Sequence, residues 1–135
     1  MVVYPILDLS KRGNDIYKYL RYLEKSIVKV LADIDVDAKG DPDSTGVWCG
    51  PKKIASIGVA VKRWITYHGL AFNLFSDPVA FSGINPCGMD QSTMTSLEDL
   101  LGFEIDRDYF EGRLEFYLLS FLNVENICST SEINK

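Results

Sequence analysis

At 135 residues the chain has room for one domain with a sizeable core and too little for two ordinary ones. Hydrophobic side chains at 47% and charged ones at 24% are globular proportions, which excludes wholesale disorder. Fourteen basic against nineteen acidic residues give a formal charge of −5, a poor footprint for nucleic acid, although Lys11-Arg12, Lys18, Arg21, Lys25 and Lys62-Arg63 offer local basic faces to an acidic protein. Three unpatterned cysteines, Cys49, Cys87 and Cys128, predict no disulfide framework and a reducing compartment such as the cytoplasm, or an organelle matrix in a eukaryote. With one histidine and no CxxC pair there is little from which to build a metal site. No run approaches the ~18 apolar residues of a membrane span, and Met1-Val2-Val3-Tyr4-Pro5 lacks the basic start of a secretory signal.

Val2 to Leu9 is an apolar and aromatic run that predicts a buried strand, closed by a turn at Ser10 to Gly13. Asn14 or Asp15 then caps a helix, because Ile16, Leu20, Leu23, Ile27, Val30 and Leu31 recur at helical spacing to about Ile34. Its other face carries Lys18, Arg21, Glu24, Lys25 and Lys29. Asp35 to Gly46, rich in Asp, Gly, Pro, Ser and Thr, reads as a surface loop.

From Val47 the pattern changes to strands. Val47 to Cys49, Ile54 to Val61 and Arg63 to Phe75 give a meander of β-branched and aromatic residues broken by Gly58 and Gly69. Glycine inside a strand marks either a bulge or a place where another backbone or a ligand comes close. Asp77-Pro78 predicts one helical turn to Phe81, Thr95 or Ser96 starts a short helix to Leu101, and Asp106 to Leu122 contains a longer one with Phe110, Leu114, Tyr117, Leu118 and Phe121 on one face. The tail from Asn126 is polar and reads as frayed.

Two residues carry the candidate chemistry. Cys87, between Pro86 and Gly88, sits where neither helix nor regular strand can propagate, so its sulfur is presented on a turn. Lys53 opens a strand thirty-four positions earlier, and a lysine ammonium beside a cysteine favours the nucleophilic thiolate. A desolvated lysine could instead serve as the base. His68 offers the alternative of a cysteine-histidine dyad and hence a cysteine hydrolase. Asn73 and Asp77 are candidates to hydrogen-bond loops around the site, and Trp48 and Trp64 read as core.

Val3-Tyr4-Pro5-Ile6-Leu7-Asp8-Leu9, Lys53 to Val59, Thr66 to Asn73, and Pro86-Cys87-Gly88-Met89 with Thr95-Ser96-Leu97-Glu98 resemble, in this order and spacing, the octanoyltransferase family of protein lipoylation. The resemblance implies an acyl-carrying Cys87, an activating Lys53, and substrate-contacting segments at Ser56, Ile57 and Gly58 and at Gly69, Leu70 and Ala71. It implies an octanoyl or lipoyl group taken from acyl carrier protein and delivered to a lysine of the lipoyl domains of 2-oxoacid dehydrogenases and glycine cleavage protein, with no cofactor. The family also carries, upstream of the Val-Tyr-Pro run, a glycine-rich segment with an arginine, a Thr-Tyr-His-Gly run and a Pro-Gly-Gln that helps build the pocket. Here the sequence begins at Met1-Val2-Val3, so residues 1–135 are expected to be a partial catalytic domain lacking its N-terminal part. A non-catalytic remnant that binds acyl carrier protein or lipoyl domains is the alternative. The expected fold is α+β, a mixed, mainly antiparallel sheet with flanking helices, resembling the biotin and lipoate protein ligase catalytic domain; the long amphipathic helix and the clustered strands support the class independently.

Overall fold

The computed structural model describes residues 1–41, 43–76 and 93–123. The predicted Asp77 to Phe81 turn, Cys87 and its loop, and the tail from Asn126 lie outside the described residues.

Five strands form one sheet in the order β1, β5, β4, β3, β2: β1 is Val2–Val3, β2 Lys39–Gly40, β3 Gly46–Cys49, β4 Lys52–Lys62 and β5 Ile65–Phe72. All four strand pairings are antiparallel; the one parallel element among the described residues is an isolated bridge between Lys53 and Met94. The mixed, mainly antiparallel α+β class expected from the sequence is therefore what the chain adopts.

Helix α1, Ile16–Ala32, begins at Asp15, whose carboxylate accepts the Lys18 backbone N–H in the usual capping geometry. Its apolar stripe buries Leu23, Ile27, Val30 and Leu31 against the sheet face carrying Val47, Ala55, Ile57, Leu70 and Phe72. Helix α2, Leu97–Leu101, is capped by Ser96 and ends on Gly102 at φ 74°, a left-handed position that suits glycine. Helix α3, Arg107–Leu122, packs alongside α1 through Phe110, Leu114, Leu118 and Leu122. Arg113 and Tyr117 of α3 also clasp Asp33 at the end of α1, with Arg113 Nη2 at 2.8 Å. That pairing holds the Asp33 carboxyl below its ordinary range.

Three expectations are corrected, one of them Trp64, expected in the core and instead exposed in the turn between β4 and β5. Val2 to Leu9 is not a buried strand: Val2–Val3 pairs with β5 at the sheet edge, and Tyr4 and Ile6 are exposed. Pro5 supplies no N–H to the ladder. Thr66 Oγ1 bridges the gap, donating to the Pro5 carbonyl and accepting from the Leu7 N–H, both at 2.9 Å, before pairing resumes at Asp8 and Ile65. The third correction is Glu24, expected on the solvated face of α1 and in fact buried. The loop from Asp35 also carries β2, two residues long, before β3 begins at Gly46.

A candidate active-site face around Lys53

Between β3 and β4 the register slips by one residue. Trp48 pairs with Lys53 but Val47 pairs with Ala55, so Ile54 is the extra residue of a β-bulge. The bulge reverses the alternation of faces at this point. Ala55 and Ile57 point into the core, whereas Lys53 joins the side shared by Gly46 and Ser56: a Cβ built on Gly46 would stand 2.5 Å from Lys53 Cε and 3.2 Å from Nζ. Lys53 is buried to 2% exposure, and its Nζ lies 5.8 Å from the centre of the Trp48 ring, within range for attraction between the cation and the ring face. Lys53 is thus enclosed at the start of its strand.

The six residues of the two glycine-containing segments meet as three cross-strand pairs: Ser56 with Ala71, Ile57 with Leu70, and Gly58 with Gly69. Ile57 and Leu70 turn into the core, leaving a strip of small residues, Ser56, Gly58, Gly69 and Ala71, on the opposite face together with Lys53. The two glycines have different reasons to lack a side chain. At Gly69 a Cβ would collide with the Val3 carbonyl and come 2.8 Å from Pro5 Cδ, so this glycine admits the crossing N-terminal backbone. At Gly58 nothing lies within 4 Å, and the position is open. Gly69→Ala should therefore dislodge the N-terminal segment and lower the unfolding midpoint, while Gly58→Ala should hold or raise stability by up to ~1 kcal/mol, as expected for glycine removed from a strand interior. Thermal melts of the two variants check this, and equal losses would contradict it.

Where β5 ends, a different segment takes its place beside Lys53. Asn73 donates its backbone N–H to the Ile54 carbonyl at 2.9 Å, and Thr95 donates its own to the Lys53 carbonyl at 2.9 Å. Asn73 Nδ2 clasps the Thr95 carbonyl at 3.1 Å, Leu97 N–H returns to the Asn73 carbonyl at 2.8 Å, and Glu98 Oε1 accepts the Ser76 N–H at 3.2 Å. The chain entering the Cys87 segment and the chain leaving it are thus tied together next to Lys53, with Asn73 in the loop-anchoring role foreseen for it.

His68 does not share this location. It pairs with Val59, six residues along β4 from Lys53, which at the rise of a strand separates the two by roughly 20 Å. It is exposed, at φ 61°, and packs edge-on to Tyr4 with centroids 6.0 Å apart. Cys49, the one cysteine among the described residues, is half-buried, and burial followed by the nearby Asp37 pushes its thiol above the ordinary range, away from the reactive thiolate.

Sequence reasoning missed Glu24. Its Oε1 accepts the Gly46 N–H at 3.0 Å, Arg21 Nη1 lies 2.7 Å from its Oε2, and Arg21 also reaches the Asp41 carbonyl at 3.3 Å. The signal was present: Glu24 stands four residues after Leu20 and three before Ile27, within the apolar stripe. Burial raises the Glu24 carboxyl above its usual value of 4.5, against the lowering effects of the Gly46 hydrogen bond and Arg21. A folded-state value above the unfolded one means that the site's contribution to stability is fully present below pH 4.5 and is lost as pH rises through the raised value. Glu24→Gln keeps the acceptor for Gly46 without a buried charge, so it should be at least as stable as the parent at neutral pH, with the gap closing as pH falls toward 4.5. Melting temperatures across that range check it; a variant much weaker at neutral pH would show that the Arg21 pair outweighs desolvation.

The five-stranded antiparallel sheet with its helices gives the chain an α+β architecture. The sequence matches the lipoyl protein ligase A/B catalytic domain over residues 1–118, and the chain belongs to that family. Within it, the chain is similar to proteins named octanoyltransferase: 45% identical over 124 residues to that of Citrifermentans bemidjiense, covering 92% of this chain and 61% of the relative. It is 38% identical over 139 residues to that of Bdellovibrio bacteriovorus, covering 90% and 64%. The chain thus spans about three fifths of the length of these curated relatives. Among solved structures, the apo biotin protein ligase of Aquifex aeolicus superposes with a TM-score of 0.71 at 15% identity, over 89% of this chain and 51% of that one. A lipoate-protein ligase A bound with ATP gives 0.66 at 16%, over 89% and 52%. These two likenesses establish the fold. Among the described residues, no helix is long and apolar enough to cross a membrane.

Proposed function

We propose that the chain carries the acyl-transfer centre of an octanoyltransferase, with Cys87 as the nucleophile and Lys53 as the group that favours its thiolate. The observation that carries this reading is the placement of Lys53: buried, turned by the bulge onto the small-residue face, and adjacent to both anchored ends of the Cys87 segment. The similarity to octanoyltransferases supplies the substrate class.

In the first step the Cys87 thiolate attacks the thioester carbonyl of an octanoyl group on acyl carrier protein. A carbon–sulfur bond to the enzyme forms, and the carrier thiolate leaves and takes up a proton. In the second step the neutral amine of a lysine on a lipoyl domain attacks the acyl-enzyme, an amide forms, the Cys87 thiolate is released, and the amine's proton passes to solvent or to a basic group. Both bonds broken are thioester bonds, so neither step consumes ATP. Lys53 contributes charge opposite the thiolate in the resting enzyme and again when Cys87 departs. Ser56, Gly58 and Ala71 present almost no side-chain bulk to the acyl chain, Gly69 lets the N-terminal segment close over the end of the strip, and the Ile57 and Leu70 pair holds the two strands in register from the core side. Gly58→Ala, although stable, should accordingly slow transfer.

Incubation of the protein with octanoyl-acyl carrier protein and a lipoyl domain tests the reaction. Octanoyl-amide on the acceptor lysine is expected. Free octanoate, with its release abolished by His68→Ala and not by Lys53 substitution, would instead establish the cysteine hydrolase, and no chemistry with retained binding to either protein would establish the non-catalytic remnant.

A further inference from the structure

We propose that Gly46, held in place by the buried carboxylate of Glu24, is the positioning residue for Lys53. The inference rests on the reading that Lys53 acts on Cys87. Gly46 opens β3 at φ 156°, and the space its side chain would fill is taken by Lys53. A Cβ there would meet Lys53 Cε at 2.5 Å and the Ala55 carbonyl at 2.7 Å, so a side chain would lift the lysine stem off the sheet and carry the ammonium with it. The lysine lies on Gly46 as on a floor, with Trp48 beside it.

What fixes that floor is on the other element. Glu24 reaches from α1 into the start of β3 and accepts the Gly46 N–H at 3.0 Å, while its Oε2 sits 2.5 Å from where a Cβ on Gly40 would stand. Gly40 and Gly46 bracket the loop between β2 and β3, and each lacks a side chain for one of the two charged groups: Gly40 for Glu24, Gly46 for Lys53. Arg21 neutralises the carboxylate and ties the same loop through the Asp41 carbonyl. Without Glu24 the Gly46 N–H loses its partner and the end of the loop is free to shift. The lysine's position is thereby set by a helix whose residues do not face the reaction.

Cysteine-resolved alkylation followed by mass spectrometry as a function of pH tests this, because the pH at which Cys87 becomes reactive reports the charge beside it. Lys53→Met is expected to move that pH upward by about one to two units, the shift caused by losing a nearby opposite charge. Gly46→Ala and Glu24→Ala should each reproduce at least half of that shift, and Glu24→Gln, whose amide oxygen still accepts from Gly46, should keep the parent profile. Circular dichroism checks that each variant folds; if Gly46→Ala does not, the contrast between Glu24→Ala and Glu24→Gln decides alone. A normal Cys87 profile in folded Glu24→Ala, alongside a shifted one in Lys53→Met, overturns the role of Gly46 and Glu24 while leaving that of Lys53 intact. A normal profile in Lys53→Met overturns both.

Discussion

Lys53→Met is expected to lower the rate of octanoyl transfer by ~10² to 10⁴-fold, the range over which a positioned proton-transfer or charge partner contributes. Methionine is the informative replacement because it keeps an unbranched stem to lie across Gly46 and against Trp48, and removes the cation alone. Stability should hold or rise, since a charge at 2% exposure is costly to bury and, among the described residues, no carboxylate pairs with Lys53. Activity and melting temperature are thus expected to move independently. A variant that loses both together would show that Lys53 is a structural residue, and one that keeps full activity would remove it from the mechanism.

The largest stability effect is expected at Phe72. Its ring is fully buried in the core face of β5, and its backbone holds Met1 from both sides, the Met1 amine donating to the Phe72 carbonyl at 2.9 Å and the Phe72 N–H donating to the Met1 carbonyl at 2.8 Å. Phe72→Ala keeps those backbone bonds and empties the core beneath them. The expected loss is ~3 to 5 kcal/mol, and for a domain of this size the melting temperature should fall by roughly 10 to 20 °C. A thermal melt followed by circular dichroism measures it. A loss under about 1 kcal/mol would mean that the helices collapse into the vacated space, and that the packing of α1 on the sheet is far looser than described.

Much of this architecture is written in local patterns. The period of Ile16, Leu20, Leu23 and Ile27 gives α1, and Asp15 gives its start, because both depend on side chains within one or two turns of each other. The meander from Val47 is legible for the same reason, its strands being joined by short turns. What escapes is set by groups distant in sequence. The edge position of Val2–Val3 depends on Thr66, whose hydroxyl bridges the Pro5 carbonyl and the Leu7 N–H where the ladder is interrupted, and the burial of Glu24 depends on an N–H twenty-two residues away at Gly46.

The candidate site was legible as a set of residues and illegible as a geometry. The two glycine-containing segments could be named from the sequence, but their meeting as Ser56 with Ala71 and Gly58 with Gly69 is a matter of register, which the turn at Arg63-Trp64 imposes. Both turn residues have positive φ, the signature of a two-residue hairpin connection, without the Asn-Gly pair that usually announces one. The bulge at Ile54 likewise has no glycine or proline to mark it, yet it decides which face Lys53 occupies. Gly58 and Gly69, alike in the sequence, differ in purpose: one leaves open space and the other admits the chain's own backbone.

In the proposed mechanism every other role follows from Cys87 carrying the acyl group. Peptide mapping of the protein after brief incubation with octanoyl-acyl carrier protein measures this directly. An octanoyl thioester on the peptide containing Cys87, labile to hydroxylamine and absent from Cys87→Ser, is the predicted result. An octanoyl group on Cys49, on Cys128 or on Lys53 itself, or one that persists in Cys87→Ser, would contradict it.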